Sequence, residues 1–289
     1  MPSAPPDDPD DPDDAQSDDD TRRSRSPDNP DSRLEHAWSL LRRRPRLTAV
    51  PAVASLLSVT SLARALDAGP GGGVTFPLPS GLPTVWTYAS LPNTTGPAAT
   101  ETFGLGGVAA VLFGAAVAGV LEAGLLGTFD SLADGLSAPG DAPHGKSLFR
   151  RSVARHGLPV VAAQLLRAGV VLAVLPVVLV APTAAVIVFP IVFVVSYALY
   201  GLPFVIVVEA RGFRSALDRT LQLAGSGGNY PRFAITHVLA GAAVSLPVSS
   251  LIRGGVTGVT VAVALTAPVG ALVAAYGVLV FRDTAETVS

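Results

Sequence analysis

Three polar side chains that could take part in chemistry, Glu122, Gln164 and Arg167, lie inside stretches of otherwise apolar residues. A charged group in such a stretch is costly and commonly marks the path of an ion, a proton or a substrate. We predict that Glu122 and Arg167 form a charge pair between consecutive helices. Two alternatives stay open: a solitary Arg167 that reaches towards lipid headgroups, and a Glu122 that is protonated or faces a wet cleft.

Other residues that could support catalysis or metal binding lack the required spacing. The histidines at 36, 144, 156 and 237 form no HExxH pattern and have no nearby pair of carboxylates, so no metal site is predicted. The run Gly225–Gly228 lacks the Lys-Ser/Thr that follows a phosphate-binding loop. The chain has no cysteine and no GxSxG motif. The sequence therefore predicts neither an enzyme active site nor a cofactor.

The composition is typical of a membrane protein, because only 15% of the 289 residues are charged, against about 25% in a soluble domain. Backbone polar groups find no water in lipid, so apolar stretches long enough to cross about 30 Å of hydrocarbon are predicted to be helices. Six stretches qualify: residues 47–66, 104–128, 158–179, 183–208, 232–252 and 256–281. The predicted fold class is an all-α membrane protein with six transmembrane helices, in a domain of residues 33–282.

The distribution of charge predicts the orientation of the chain. Residues 1–32 contain 11 of the 22 acidic residues and frequent prolines, which predicts a disordered acidic cytoplasmic tail. Arginines cluster before spans one, three and five, so the positive-inside rule puts both termini in the cytoplasm, with residues 283–289 as a short second tail. We therefore predict a multi-pass protein of the cell membrane.

Residues 67–102 are then predicted to be an external loop, rich in glycine and proline. This loop contains Asn93-Thr94-Thr95, which makes Asn93 a candidate glycosylation site. Because 19 of the 20 basic residues are arginine and aspartate dominates the acids, the composition also indicates a halophilic archaeon.

A basic segment with helical apolar periodicity precedes spans one, three and five, and a proline stands at each span entrance. Such segments are predicted to lie as amphipathic helices on the membrane surface, in contact with lipid headgroups. Their candidate interface anchors are Leu34, Trp38, Leu41, Phe149 and Phe213. The sequence thus predicts three helical hairpins, each preceded by a basic amphipathic surface helix.

The third of these segments, FRSALDRTLQLA, leads through a Gly/Asn turn to YPRF. Together with the span architecture of residues 32–282, it resembles a family of uncharacterised haloarchaeal six-span integral membrane proteins. It is distantly similar to the membrane domain of some bacterial glycerophosphodiester phosphodiesterases. The phosphodiesterase barrel is absent from this chain, so the resemblance implies a fold and no catalytic residue.

Two functional hypotheses follow. The first is a non-enzymatic membrane scaffold or an accessory to envelope, lipid or protein traffic, because no catalytic motif is found. Its partners would be membrane lipids and an unidentified protein or a second copy of the chain, with no nucleic acid. The alternative is a small-molecule or ion transporter that uses Glu122, Gln164 and Arg167 within the spans.

Overall fold

The computed structural model describes residues 30–66, 74–75, 77, 80–90, 105–137 and 145–286. Within these ranges the chain is helical and contains no strand. Two short 3₁₀ helices cover Pro45–Thr48 and Pro182–Ala184. The α-helices are α1 (Pro30–Arg43), α2 (Ala49–Leu57), α3 (Val59–Leu66), α4 (Val85–Tyr88), α5 (Leu105–Ser137), α6 (Gly145–Val180), α7 (Ala185–Leu199), α8 (Leu202–Val208), α9 (Phe213–Ser226), α10 (Asn229–Ile252) and α11 (Gly255–Glu286).

Five helical segments are long and apolar enough to cross a membrane, which confirms the prediction of a helical multi-pass membrane protein. The third of them joins α7 and α8 across a break at Tyr200 and Gly201. The five segments are Leu105–Gly135, Ser147–Val174, Val186–Val208, Asn229–Ile252 and Gly255–Ala285.

The first predicted span, residues 47–66, is not one continuous helix. It is divided at Ser58 into α2 and α3, of 9 and 8 residues, and each piece is too short to cross a bilayer alone. The cause lies at Ser55, whose carbonyl oxygen accepts a 2.6 Å hydrogen bond from the indole N–H of Trp86. Ser58 then adopts a non-helical backbone, and its backbone N–H donates a long bond of 3.4 Å to the Ser55 carbonyl.

The predicted surface helix before the third span does not exist as a separate element. Residues 149–156 belong to α6, which continues without a break through Pro159. Phe149 is not a membrane anchor, because its ring lies against Gly124 of α5. The two helices pack closely along their length: a Cβ atom at Gly119 would lie 2.7 Å from the Val161 Cα. Close packing against α5 therefore holds this basic segment in line with the span.

The other two predicted surface helices form separate helices, α1 and α9. On α1, Leu34 and Trp38 are exposed, whereas Leu41 is buried in the protein core and does not face lipid. On α9, Phe213 is half-buried against the core. These helices thus present one face to the bundle, which explains their apolar stripes.

Candidate functional site

Part of the predicted external loop is packed between the helices. We call its described residues, 74–75, 77 and 80–90, the inserted segment. Pro77 touches Gly241 of α10, Gly81 touches Glu122 of α5, and the Pro83 carbonyl oxygen touches Gly270 of α11. Glu122, Gly241 and Gly270 each lie within two residues of the midpoint of their membrane-spanning helix. The inserted segment therefore reaches the middle of the bundle.

Glycine permits these contacts on two of the three helices. A Cβ atom at Gly241 would collide with the ring of Pro77, 2.9 Å from its Cδ atom. A Cβ atom at Gly270 would collide with the Pro83 carbonyl oxygen and lie 3.4 Å from the Pro51 Cβ. The small residues in these spans are thus required by the inserted segment, in addition to any packing of helix on helix.

Serine hydroxyls accept hydrogen bonds from backbone N–H groups of the inserted segment that have no partner within a helix. The Thr75 N–H donates to Ser245 Oγ at 2.9 Å and the Ser90 N–H donates to Ser249 Oγ at 2.9 Å. The Val85 N–H donates to Ser55 Oγ at 3.0 Å. Irregular backbone at membrane depth is tolerated only where it is buried in protein or lines a wet cavity. These bonds make the segment an integral part of the bundle.

Glu122 is completely buried beside the tip of the inserted segment. Gln164 of α6 donates a short hydrogen bond from its Nε2 to Glu122 Oε2. The other carboxylate oxygen, Oε1, faces the backbone of Gly81 and meets no side-chain donor among the described residues. The carboxylate is therefore held by one carboxamide and by the backbone of the inserted segment, in the interior of the bundle.

Arg167 does not form the predicted ion pair with Glu122. Its guanidinium donates instead to the carbonyl oxygens of Leu199 and Tyr200, at 2.7 and 2.9 Å. These carbonyls are free because α7 ends there, and the negative end of the helix dipole favours a cation at that position. The end of α7, which was not predicted from the sequence, supplies both acceptors, and Glu122 interacts with Arg167 through space without a direct bond.

A cluster of tyrosines holds the break between α7 and α8. The Tyr230 hydroxyl donates to the Tyr197 carbonyl at 3.0 Å and accepts from the Gly201 N–H at 3.3 Å. The Tyr200 hydroxyl donates to the Tyr230 carbonyl. Pro203, in the first turn of α8, was the available sequence signal, since proline is favoured at helix starts.

Glu122, Gln164 and Arg167 form a polar group inside the bundle, and two cavities lie beside it. The larger, of about 550 Å³, lies between α2, α3, α5 and the inserted segment, and Gln164 forms part of its wall. The smaller, of about 210 Å³, is lined by Arg167 and Ser196. Ser80 of the inserted segment lines both cavities. Gln164 and Arg167 thus give the polar group access to space on two sides.

Three buried side-chain atoms of the described residues have no hydrogen-bond partner, and all three adjoin the inserted segment. They are Glu122 Oε1, the Tyr88 hydroxyl and His237 Nε2. Tyr88 belongs to the inserted segment, and its ring centroid is 6.4 Å from that of His237 on α10. Since buried polar groups are normally paired, unpaired atoms indicate positions that a water or a proton occupies. Tyr88 and His237 are neighbours of each other, whereas Glu122 is a neighbour of Gly81.

The remaining predicted site residues do not join this group. Trp38 and Leu34 lie on the exposed face of α1, where the Arg42 guanidinium stands 5.3 Å from the Trp38 ring centroid. Asn93 lies outside the described residues. Within the described part of the chain, no three potential metal ligands come together.

Comparisons of this chain with protein-family models, curated proteins and solved structures gave no match. The functional conclusion therefore depends on the geometry of the site alone.

Proposed function

We propose that this protein is a membrane transporter in which Glu122 carries a proton in exchange for a small solute. The observation that supports the proposal is a completely buried Glu122 that has Gln164 as its one side-chain hydrogen-bond donor among the described residues. An ionised carboxylate at such a depth costs several kcal/mol, which Gln164 and the nearby Arg167 charge offset in part and which a proton on Glu122 removes. A buried group that is easier to keep in the protonated form can couple proton binding to the movement of a solute.

The inserted segment favours a transporter over the scaffold hypothesis. Discontinuous backbone that reaches the middle of a bundle is costly to build, and in transporters and channels it lines the substrate path. A scaffold needs no such segment. The break at Tyr200 and Gly201 supplies a second discontinuity, and its carbonyls bind Arg167. Two cavities, both lined by Ser80, lie beside this polar group and agree with this function.

We also propose that the chain crosses the membrane six times, with both termini in the cytoplasm. Arg33 of α1 forms a 2.7 Å ion pair with Asp283 at the end of α11, and Arg282 binds Asp130 near the end of α5 at 3.0 Å. The beginning of α5 is at the opposite end of the bundle, so residues between α1 and α5 must cross. This supports a first crossing made by α2 and α3 in two pieces.

Proton movement in proteoliposomes tests the proposed function. Vesicles with an acidic lumen and an internal pH dye are exposed to mixtures of organic amines, amino acids and sugars. We expect wild-type protein to speed lumenal alkalinisation with at least one mixture, and Glu122→Gln to behave like protein-free vesicles. Gly106→Leu, a change at an exposed position of α5 without neighbours within 4 Å, should leave the rate unchanged. A wild-type rate equal to that of protein-free vesicles with every mixture contradicts the proposal.

A further inference from the structure

We propose that the outer face of α6, near the beginning of the helix, binds the phosphate headgroup of an anionic lipid. The inference goes beyond the proposed function and does not depend on it, because this face is available to lipid whether or not the protein moves a solute. Its basis is a recess that contains two arginines and the apolar surface directly below that recess.

The recess has a volume of about 460 Å³ and is lined by Ser147, Arg150, Arg151 and Ala154. These positions are separated by three and four residues, so their side chains share one face of the helix. Arg150 and Arg151 are exposed, and in the described part of the chain neither forms an ion pair with a carboxylate. The recess therefore presents two guanidinium groups whose charges the described residues do not balance.

The other face of α6 is packed against the bundle. Leu148, Ser152 and His156 are buried on this inner face. A Cβ atom at Gly127 of α5 would lie 2.7 Å from the Ser152 Cβ, so the two helices are in direct contact there. Because this contact fixes the rotation of α6 about its axis, the recess opens towards the surroundings of the protein.

The chemistry of the recess selects an anionic phosphate. A guanidinium group binds a phosphate through two parallel N–H donors, and these charge-assisted bonds are stronger than bonds between neutral groups. Ser147 lies in the first turn of α6, where the positive end of the helix dipole favours the same sign of ligand charge. None of the described residues that line the recess is acidic, so the ammonium group of a zwitterionic headgroup finds no counter-charge there.

The surface below the recess selects a lipid over a soluble phosphate. Leu158 follows Ala154 by one turn on the same face and is 83% exposed, and Leu165, two turns further, is also exposed. Ser147 begins the part of α6 that is long and apolar enough to cross a membrane, so the arginines lie at the rim of this span and the leucines lie within it. A lipid whose phosphate binds the arginines can therefore lay its acyl chains along the leucines.

Native mass spectrometry of the delipidated full-length protein in detergent tests the inference, with phosphatidylglycerol and phosphatidylcholine of identical acyl chains as probes. We expect the first phosphatidylglycerol to bind about tenfold more tightly than the first phosphatidylcholine, since each arginine adds to the attraction for a net negative headgroup. Arg150→Gln combined with Arg151→Gln should remove this preference. The matched control, Arg43→Gln combined with Arg214→Gln, removes the same charge from exposed positions outside the recess and should retain it.

Equal binding of the two lipids to the wild-type protein would overturn the proposed ligand class. An equal loss of preference in the control variant would show an effect of net charge alone and would overturn the site. Glycerol phosphate in excess should leave phosphatidylglycerol bound, and full displacement would assign the recess to a soluble phosphate instead of a lipid. Since both arginines are exposed, the variant without them should elute from a size-exclusion column as wild type does, so its loss of preference reports on the recess and not on unfolding.

Discussion

The contact between Pro77 and Gly241 offers a quantitative test of the inserted segment. In Gly241→Ala the new methyl group would collide with the Pro77 ring, 2.9 Å from Cδ, and a proline ring cannot rotate away. Overpacking of this kind costs about 1–3 kcal/mol. Gly169→Ala on α6 is the matched control, because a Cβ atom there meets nothing within 4 Å. Both changes gain the same helix propensity, roughly 1 kcal/mol, so the overpacking cost remains as their difference.

The assay is the free energy of unfolding by dodecyl sulfate titration in bicelles. Gly169→Ala should be slightly more stable than wild type, and Gly241→Ala should be less stable than Gly169→Ala by about 1–3 kcal/mol. Equal stabilisation by the two substitutions would refute the packing of the inserted segment against α10.

Three further predictions use the same assay. Ser245→Ala should lower the free energy of unfolding by about 1 kcal/mol, because the Thr75 N–H loses its acceptor. Ser250→Ala is the control and should leave the stability unchanged, because the Ser250 hydroxyl bonds only its own helix at an exposed site. Equal effects of the two changes would contradict the role of Ser245. Arg167→Lys should lower the free energy of unfolding by about 1–2 kcal/mol, since a single ammonium cannot reproduce the guanidinium geometry at two carbonyls. A variant as stable as wild type would exclude a role for Arg167 in holding the end of α7. Arg282→Gln should lower the free energy of unfolding by about 1 kcal/mol, and about 1 M salt should reduce this loss only in part, because the Asp130 pair is mostly buried and Asp134 is exposed; a loss that salt abolishes would contradict the buried bonds.

The long spans could be predicted from the sequence because their length and apolar character are local properties. The helices α5, α10 and α11 lie at the apolar stretches from which their spans were predicted. The separate helix α9 follows from its own apolar stripe. The second surface helix was predicted wrongly because its basic residues are also compatible with the exposed face of a longer helix. The contact of Phe149 with Gly124 on α5 determines that these residues continue α6 and do not form a separate helix.

The inserted segment could not be predicted because its supports are distant in the sequence. Its backbone bonds go to Ser55, Ser245 and Ser249, which are 30, 170 and 159 residues from their donors. A stretch rich in glycine and proline has no apolar periodicity, so it is indistinguishable from a surface loop. A hint was present in the spacing of Ser245 and Ser249, four residues apart and therefore on one face of a helix.

Glu122, Gln164 and Arg167 were identified from their types and from their apolar surroundings, but their partners were not. The pairing depends on where α7 ends, because the free carbonyls of Leu199 and Tyr200 attract Arg167. That end is stabilised by the Tyr230 hydroxyl, contributed by a later helix. Local sequence therefore identifies the polar group, whereas tertiary contacts determine its bonds.

The depth of the inserted segment can be measured with pairs of spin labels, since the chain has no cysteine of its own. One label is attached at Ser80→Cys, and the second at Val256→Cys or Ala285→Cys, near the two ends of α11. At a rise of 1.5 Å per residue these ends are about 44 Å apart. If Ser80 lies at the middle of the bundle, the two electron–electron distances should be similar, roughly 20–30 Å each. A short distance to position 256 with one of about 40 Å or more to position 285 would put the segment outside the bundle and contradict the proposed site.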